Sequence, residues 1–429
     1  MSNSHRKLAP NGLFMLVVPD LSTLSSRRGV VGYSSESEIS AGRRYNVAYL
    51  ARISTCGGDL VMPDVPVLNS LSNDTLQRHR AFWNHERMDR PSWGISLGFF
   101  ANEVYPRTMT RIRPGPVNPE DIPIDELLKD IDERWQASKG LGDFPLSCSP
   151  FPSIPWLEAI AGCPVMSSPT SFWAEPCIDD LRTWSWDRPV LENPWSRKLL
   201  ELMHTLVEYS KGRYQVSPTL MRGPADILSA MRGASEFVMD FLDTPELVAP
   251  ALHQCARIWC EIAQAQLDLI PHSPDGYVAL ETSLRAWAPD RLLWLQEDAM
   301  ALLSPKLYRQ FVLPLDRAIS AQFPCVAFHL HGTALWAIDE LVKVPEINVL
   351  ELNLEDAMCD VQGTVAGWKK IQENKPLVIW RIYHEDFPSW LAMVLREFSA
   401  KGISIQISVH NVEEARRVQQ EFRKYGSER

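Results

Sequence analysis

The chain has 429 residues, 45% of them apolar, enough for one large core or two ordinary ones. Its formal net charge is -10 with no sustained Lys/Arg block, which speaks against nucleic acid and anionic membrane as partners. Eight cysteines are scattered without a C-x-x-C pair, the usage of a cytoplasmic protein with reduced thiols and not of a disulfide framework.

Residues 1–70 are rich in Ser, Gly and Arg with few periodic segments, and read as a poorly regular N-terminal extension. Its apolar stretch Gly12–Pro19 is too short to span a bilayer. Regularity begins at Asp74, where Thr75–Trp83 carries the pattern of a short amphipathic helix capped near Asn73 or Asp74. A strand is expected over Trp93–Phe100, followed by a Pro-rich connection and a helix over Ile124–Ser138. Residues 141–195 hold many Pro and Trp and read as a long loop-rich insertion. Further strands are expected over Tyr214–Leu220, Gly276–Leu280, Leu292–Leu295, Val326–His331, Val349–Leu352, Leu377–Arg381 and Ile403–Val409. Helical patterns separate them, among them 194–212, 224–232, 245–268, 304–321, 361–372, 386–401 and 411–425. Eight strand-like runs, most followed by helix, predict an α/β fold, a (β/α)8 TIM-like barrel over residues 71–429. The alternative, a doubly wound open sheet, lacks the G-x-G-x-x-G or P-loop pattern that would give it a nucleotide.

A barrel of this kind keeps its chemistry at the C-terminal ends of its strands. The run Cys325-Val-Ala-Phe-His329-Leu-His331-Gly332 ends an expected strand with two imidazoles two residues apart, hence on one side. That is half of a metal site. Other strand exits carry Glu281, Glu297-Asp298, Asn353 with Glu355-Asp356, Arg381 and His410. His329, His331 and His410 could give a catalytic zinc its three protein ligands, with Glu297 or Asp298 completing or replacing one. Without metal, either strand histidine set against Glu297 or Asp298 is an acid–base pair. The structural alternatives are polar strand exits bonded to backbone, and helix capping ahead of Ser304-Pro305, with Ser304 as N-cap. Arg222-Gly223-Pro224 could present backbone N–H groups to an anion or serve only as a helix entry.

Several segments, in this order, resemble the uroporphyrinogen decarboxylase superfamily. They are Arg80-Ala-Phe-Trp-Asn-His-Glu-Arg-Met-Asp-Arg-Pro91, Ile154-Pro-Trp-Leu-Glu-Ala-Ile-Ala-Gly-Cys-Pro164, Arg222-Gly-Pro-Ala-Asp226, the stretch from Asp298 to Pro314, and His329-Leu-His-Gly332. The resemblance covers about residues 74–425 and implies a TIM-like barrel. Ser92–Phe100 lacks the clustered arginines with which true uroporphyrinogen decarboxylases grip a polycarboxylate, so the chain resembles the corrinoid-dependent methyltransferase branch more closely. That branch implies zinc, with His329 matching the family histidine, His331 standing at a cysteine position and His410 lying near the late cysteine. Imidazoles in place of thiolates leave zinc more Lewis-acidic and better suited to an oxygen than to a soft sulfur. The resemblance thus implies zinc-assisted methyl transfer or demethylation of a small molecule, with a corrinoid carried by a partner protein and a homodimeric enzyme. Glu297, Asp298 and Arg381 are the expected catalytic groups, and Trp173, Glu175, Arg222, Trp336 and Asn353 the expected substrate contacts. Two alternatives stand beside it: a metal-independent decarboxylase or lyase on a small carboxylate or tetrapyrrole-like substrate, and a non-catalytic binding protein on the same fold.

Overall fold

Seven short runs of the chain pair side by side, all of them parallel. A computed structural model describes residues 71–280, 285–354 and 361–426. The expected extension at 1–70 lies outside the described residues, as do Glu281, Glu355 and Asp356. The strands are β1 (Ser92–Leu97), β2 (Met221–Arg222), β3 (Leu292–Gln296), β4 (Cys325–Leu330), β5 (Val349–Asn353), β6 (Leu377–Ile382) and β7 (Ile403–Val409). They lie in the order β1-β7-β6-β5-β4-β3-β2, a barrel-like α/β arrangement in which helices follow the strands.

Six of the seven are expected runs, and the differences are local. The Tyr214–Leu220 run gives only Gln215–Val216, paired with Ser147–Cys148, and the sheet strand β2 starts just after it. Tyr277–Ala279 does not join the sheet, because it turns back antiparallel on Ala286–Ala288. The outer edge of β1 is met instead by one backbone and one side-chain donor: the Asp143 N–H donates to the Trp93 carbonyl at 2.7 Å, and the Arg285 guanidinium donates to that of Ile95. The 304–321 helix is broken into a short turn capped by Ser304, a π-helical stretch Tyr308–Val312 and a helix Leu313–Ser320. Pro314 has no N–H to donate back along the helix, which accounts for the wide turn before it. The 141–195 insertion is more regular than expected, with a helix over Trp156–Ala161 and strands Val165–Ser167 and Phe172–Ala174 pairing beside Gly115–Val117. Among the described residues no helix is long and apolar enough to cross a membrane.

The register sorts the side chains into two faces. Trp93 stacks on Phe422 of the last helix, Val412–Gly426, with ring centroids 4.4 Å apart, so alternate residues of β1 from Trp93 onward face helices. Residues paired across a parallel ladder share a face. The helix side is therefore Ile95, Ile405, Ile407, Ile379, Leu350, Leu352, Phe328 and Leu295, all buried. The opposite side carries Ser92, Ser96, Ser404, Gln406, Trp380, Glu351, Asn353, His329, Gln296 and Arg222. Arg381 pairs with Ile407 and so belongs to the helix side, where its guanidinium lies 4.9 Å from the Trp390 ring and donates to Asp386 at 3.3 Å. Arg381, expected at a site on the strand ends, thus stands on the other side of the sheet from His329 and Glu351.

Gly94 faces Gln406 across the β1–β7 pair, and a Cβ at that position would overlap the Gln406 amide. Gly94→Ala is expected to cost about 1–3 kcal/mol as overpacking. A urea midpoint measures it, and Gln406→Ala in the same chain should recover part of the loss. An unchanged midpoint in the single variant would mean the amide can move aside freely.

Candidate functional site

The polar face of the sheet ends in three groups that converge. Asp298, His329 and His331 each offer one potential ligand atom, and these atoms all lie within 4.8 Å of one another. His329 sits in β4, and His331 follows the strand with extended backbone, which keeps the two imidazoles on one side. Their Nε2 atoms are 3.0 Å apart, and His331 Nε2 is 3.1 Å from Asp298 Oδ1. Asp298 follows β3, the next strand, and the Gln296 amide donates to its second oxygen.

Each histidine is held from behind. Glu351, fully buried in β5 and paired with His329 by register, accepts from His329 Nδ1. A carboxylate at that depth needs a charged or hydrogen-bonding partner, and His329 provides it. The bond keeps a proton on Nδ1 and turns the Nε2 lone pair toward the cluster. Asn353, two residues on along β5, donates from its amide nitrogen to His331 Nδ1 at 3.1 Å. In that orientation His331 carries its proton on Nε2 and donates it toward Asp298. Turned over, the Asn353 oxygen would accept from Nδ1–H and leave Nε2 as a ligand atom. Desolvation would raise the Asp298 carboxyl, but the hydrogen-bonded His331, then His329 and Arg222, outweigh it and hold Asp298 below the usual carboxylate range. One carboxylate and two imidazoles facing one point match the three-ligand set of an open catalytic metal site.

The neighbouring Glu297 has a different setting. Its carboxylate accepts from the N–H groups of Ala225 and Asp226, at 3.1 and 3.3 Å, at the start of the helix Pro224–Arg232. Gly223 makes that approach, since a Cβ there would overlap the Glu297 carboxyl. The anion that the Gly-Pro turn was suited to receive is thus internal. Asp226 returns the bond, accepting from the Ala299 N–H at 2.6 Å. Buried Asp316 lies near Glu297 and takes the Tyr308 hydroxyl at 2.8 Å. Burial first, then the charges of Asp316 and Asp226, push Glu297 well above its ordinary value. Glu297 is therefore a buried cap, and Asp298 alone of the pair faces the histidines.

In fold, the chain is similar to a methyltransferase from Methanosarcina mazei. The two superpose with a TM-score of 0.57 at 13% identity, over 82% of this chain and 99% of the methyltransferase. No family model matches the chain, and no curated protein matches it by sequence. At this identity the likeness to the methyltransferase speaks for the fold.

The other expected residues fall in three places. Arg222, beside Gln296 by register, donates to the buried Glu158 at 3.2 Å and lines a cleft of about 60 Å³ with Gln296, Glu158, Trp156 and Leu220. This cleft adjoins the cluster through Gln296. Trp173 and Glu175 bond to each other at 2.6 Å on the small antiparallel sheet, and Trp336 packs edge-on against Tyr308 at 5.3 Å; none of the three lines the cleft. His410 is exposed, with Nδ1 2.9 Å from Glu103 Oε1, three strands along the sheet from His329. It does not join the histidine pair, because the chain leaves β7 there and Glu103 and Glu414 take its polar atoms. Glu351 and Glu158 were not among the expected residues. A lone carboxylate at the centre of Val349-Leu-Glu-Leu-Asn353 is the signal that points to the first.

Burial, opposed by the Tyr308 hydroxyl and then by neighbouring Glu297, pushes the Asp316 carboxyl up to about 7. A proton held more tightly in the folded chain stabilises it fully below the unfolded value, and that contribution is lost as pH rises through the folded one. Stability is therefore expected to fall from about pH 4 to about pH 7 on account of this group. Asp316→Asn should flatten the fall in urea midpoints taken across that range. Equal slopes in the two chains would overturn the assignment.

Proposed function

We propose that the chain is a metal-assisted methyltransferase that moves a one-carbon group between a corrinoid on a partner protein and a small-molecule acceptor or donor. The observation that carries this reading is the convergence of Asp298, His329 and His331 at the ends of β3 and β4, with His329 backed by buried Glu351. The methyltransferase likeness in fold supports it, and so does reading the seven-stranded sheet as the greater part of a (β/α)8 barrel. A zinc ion held there would supply Lewis acidity toward the heteroatom that gains or loses methyl. The chain's own residues do the rest. Glu351 fixes the His329 tautomer, Asn353 orients His331, and Gln296 holds the far oxygen of Asp298. Arg222 and Glu158 present a charge pair to a substrate entering the cleft. Two imidazoles and a carboxylate, in place of thiolates, favour an oxygen-bound methyl over a sulfur-bound one.

The Asn353 orientation favours a second reading. With its N–H on His331 Nδ1, the series Asn353, His331, Asp298 is a complete hydrogen-bonded chain without metal. His331 and Asp298 could then exchange a proton with substrate, as in a decarboxylase or lyase on a small carboxylate.

Elemental analysis of untagged protein offered zinc separates the two. About one zinc per chain is expected, lost in His329→Ala, His331→Ala and Asp298→Ala but retained in His410→Ala. Glu351→Ala should weaken zinc binding by about 10–100-fold in a competition titration. Folded protein that takes up no zinc would sink the metal reading and favour proton transfer. Turnover with a methylated corrinoid then tests methyl transfer itself, with Arg222→Ala expected to raise KM.

A further inference from the structure

The sulfurs of Cys163 and Cys177 lie 3.7 Å apart, although the chain's cysteine spacing shows no paired motif. Both belong to the insertion. Cys163 follows the helix Trp156–Ala161, and Cys177 follows the strand Phe172–Ala174. The intervening strands pair Val165 with Ala174, and the Glu175 N–H donates to the Pro164 carbonyl at 2.9 Å. The two thiols therefore flank the open base of a hydrogen-bonded hairpin, which holds them at this separation. Their other attachments are firm as well. The Cys163 N–H bonds to the Glu158 carbonyl and the Cys177 N–H to that of Met231, each at 2.9 Å.

The two sulfurs are unequal. Cys163 is buried and Cys177 is half-exposed. Arg188, which lies over the Trp184 ring at 4.3 Å, adds positive charge near Cys177. Partial exposure beside a guanidinium is the setting of a reactive thiol, while a buried neighbour without such a charge is the resolving partner. The hydrogen bond between the two pulls Cys177 down from its ordinary value and pushes Cys163 up.

We propose that Cys163 and Cys177 are an oxidation-sensitive pair that closes to a reversible disulfide across the base of the 165–174 hairpin, with Cys177 the sulfur that meets the oxidant. The oxidant is hydrogen peroxide. The Cys177 thiolate attacks one peroxide oxygen; the S–O bond forms, the O–O bond breaks, and hydroxide leaves and is protonated to water. Cys163 then gives up its proton and attacks the Cys177 sulfur, forming S–S, breaking S–O and releasing the second water. Two thiols lose two electrons, and one peroxide becomes two waters. Reaching a bond length of about 2 Å requires the sulfurs to close by less than about 2 Å, within the reach of side-chain rotation. The pair is independent of the methyl-transfer reading. It does touch the same cleft, since Glu158 receives the Cys163 N–H on its carbonyl and Arg222 on its carboxylate.

Reduced full-length protein is treated with hydrogen peroxide, alkylated under denaturing conditions, digested and mapped by mass. The expected result is a linked peptide pair joining Cys163 to Cys177, with Cys255 and Cys260 alkylated and the link reversed by dithiothreitol. Cys163→Ser should instead accumulate a sulfenic acid at Cys177, captured by dimedone, and Cys177→Ser should give neither product. Circular dichroism confirms that each variant is folded, and the wild-type map decides alone if one is not. Full alkylation of both cysteines after peroxide, a link to a different cysteine, or dimedone capture on Cys163 in Cys177→Ser would overturn the proposal.

Discussion

The site depends on a shared phase across seven strands. Parallel pairing places Gln296, His329 and Glu351 in one row of the sheet, with Val378 beyond them. Three hydrogen bonds that shape the cluster lie in that row or one polar position beyond it: His329 to Glu351, Gln296 to Asp298, Asn353 to His331. A slip of one residue in any pairing would exchange faces, placing leucine and isoleucine beside the histidines and Glu351 under the helices. A carboxylate with no partner at that depth costs several kcal/mol, so the Glu351–His329 pair itself enforces the register.

Glu297 and Asp298 are adjacent in the chain and opposite in environment. Glu297 turns toward the N-terminus of the helix Pro224–Arg232 and toward Asp316, where burial and like charge favour its neutral form. Asp298 turns toward two imidazoles and a guanidinium, which favour its ionised form. Neighbouring residues of one type are thus driven apart in charge by what each faces, and the anionic one lies where an electrophile or a proton would be handled.

Much of the fold can be read from the sequence, because period-2 apolar runs and the helices after them are strong local signals. Six sheet strands and the final helix follow from them directly. The exceptions are long-range. Nothing in Tyr277–Ala279 says that it prefers Ala286–Ala288 to the sheet, since a short apolar run carries no record of its partner. In the site, His329, His331 and Asp298 could be named because strand exits concentrate function. Arg381 and His410 satisfy the same rule and sit elsewhere, because position at a strand end does not specify which face a residue takes. The finer signal lies inside the strands. Ser404-Ile-Gln-Ile-Ser408 and Val349-Leu-Glu-Leu-Asn353 alternate polar and apolar where a sheet covered on both faces by apolar layers would be apolar throughout. That alternation marks the polar face and Glu351 with it.

The reciprocal caps between Glu297 and Asp226 have a mechanical meaning. Asp298 lies between Glu297, which grips the start of the helix Pro224–Arg232, and Ala299, which that helix grips through Asp226. The same helix is joined through Gly223 and Pro224 to Arg222, the guanidinium at the cleft. Carboxylate and guanidinium are therefore bolted to one lever arm. A ligand that shifts Arg222 is thereby linked to Asp298 through the start of that helix and the Glu297 and Asp226 carboxylates that clasp it.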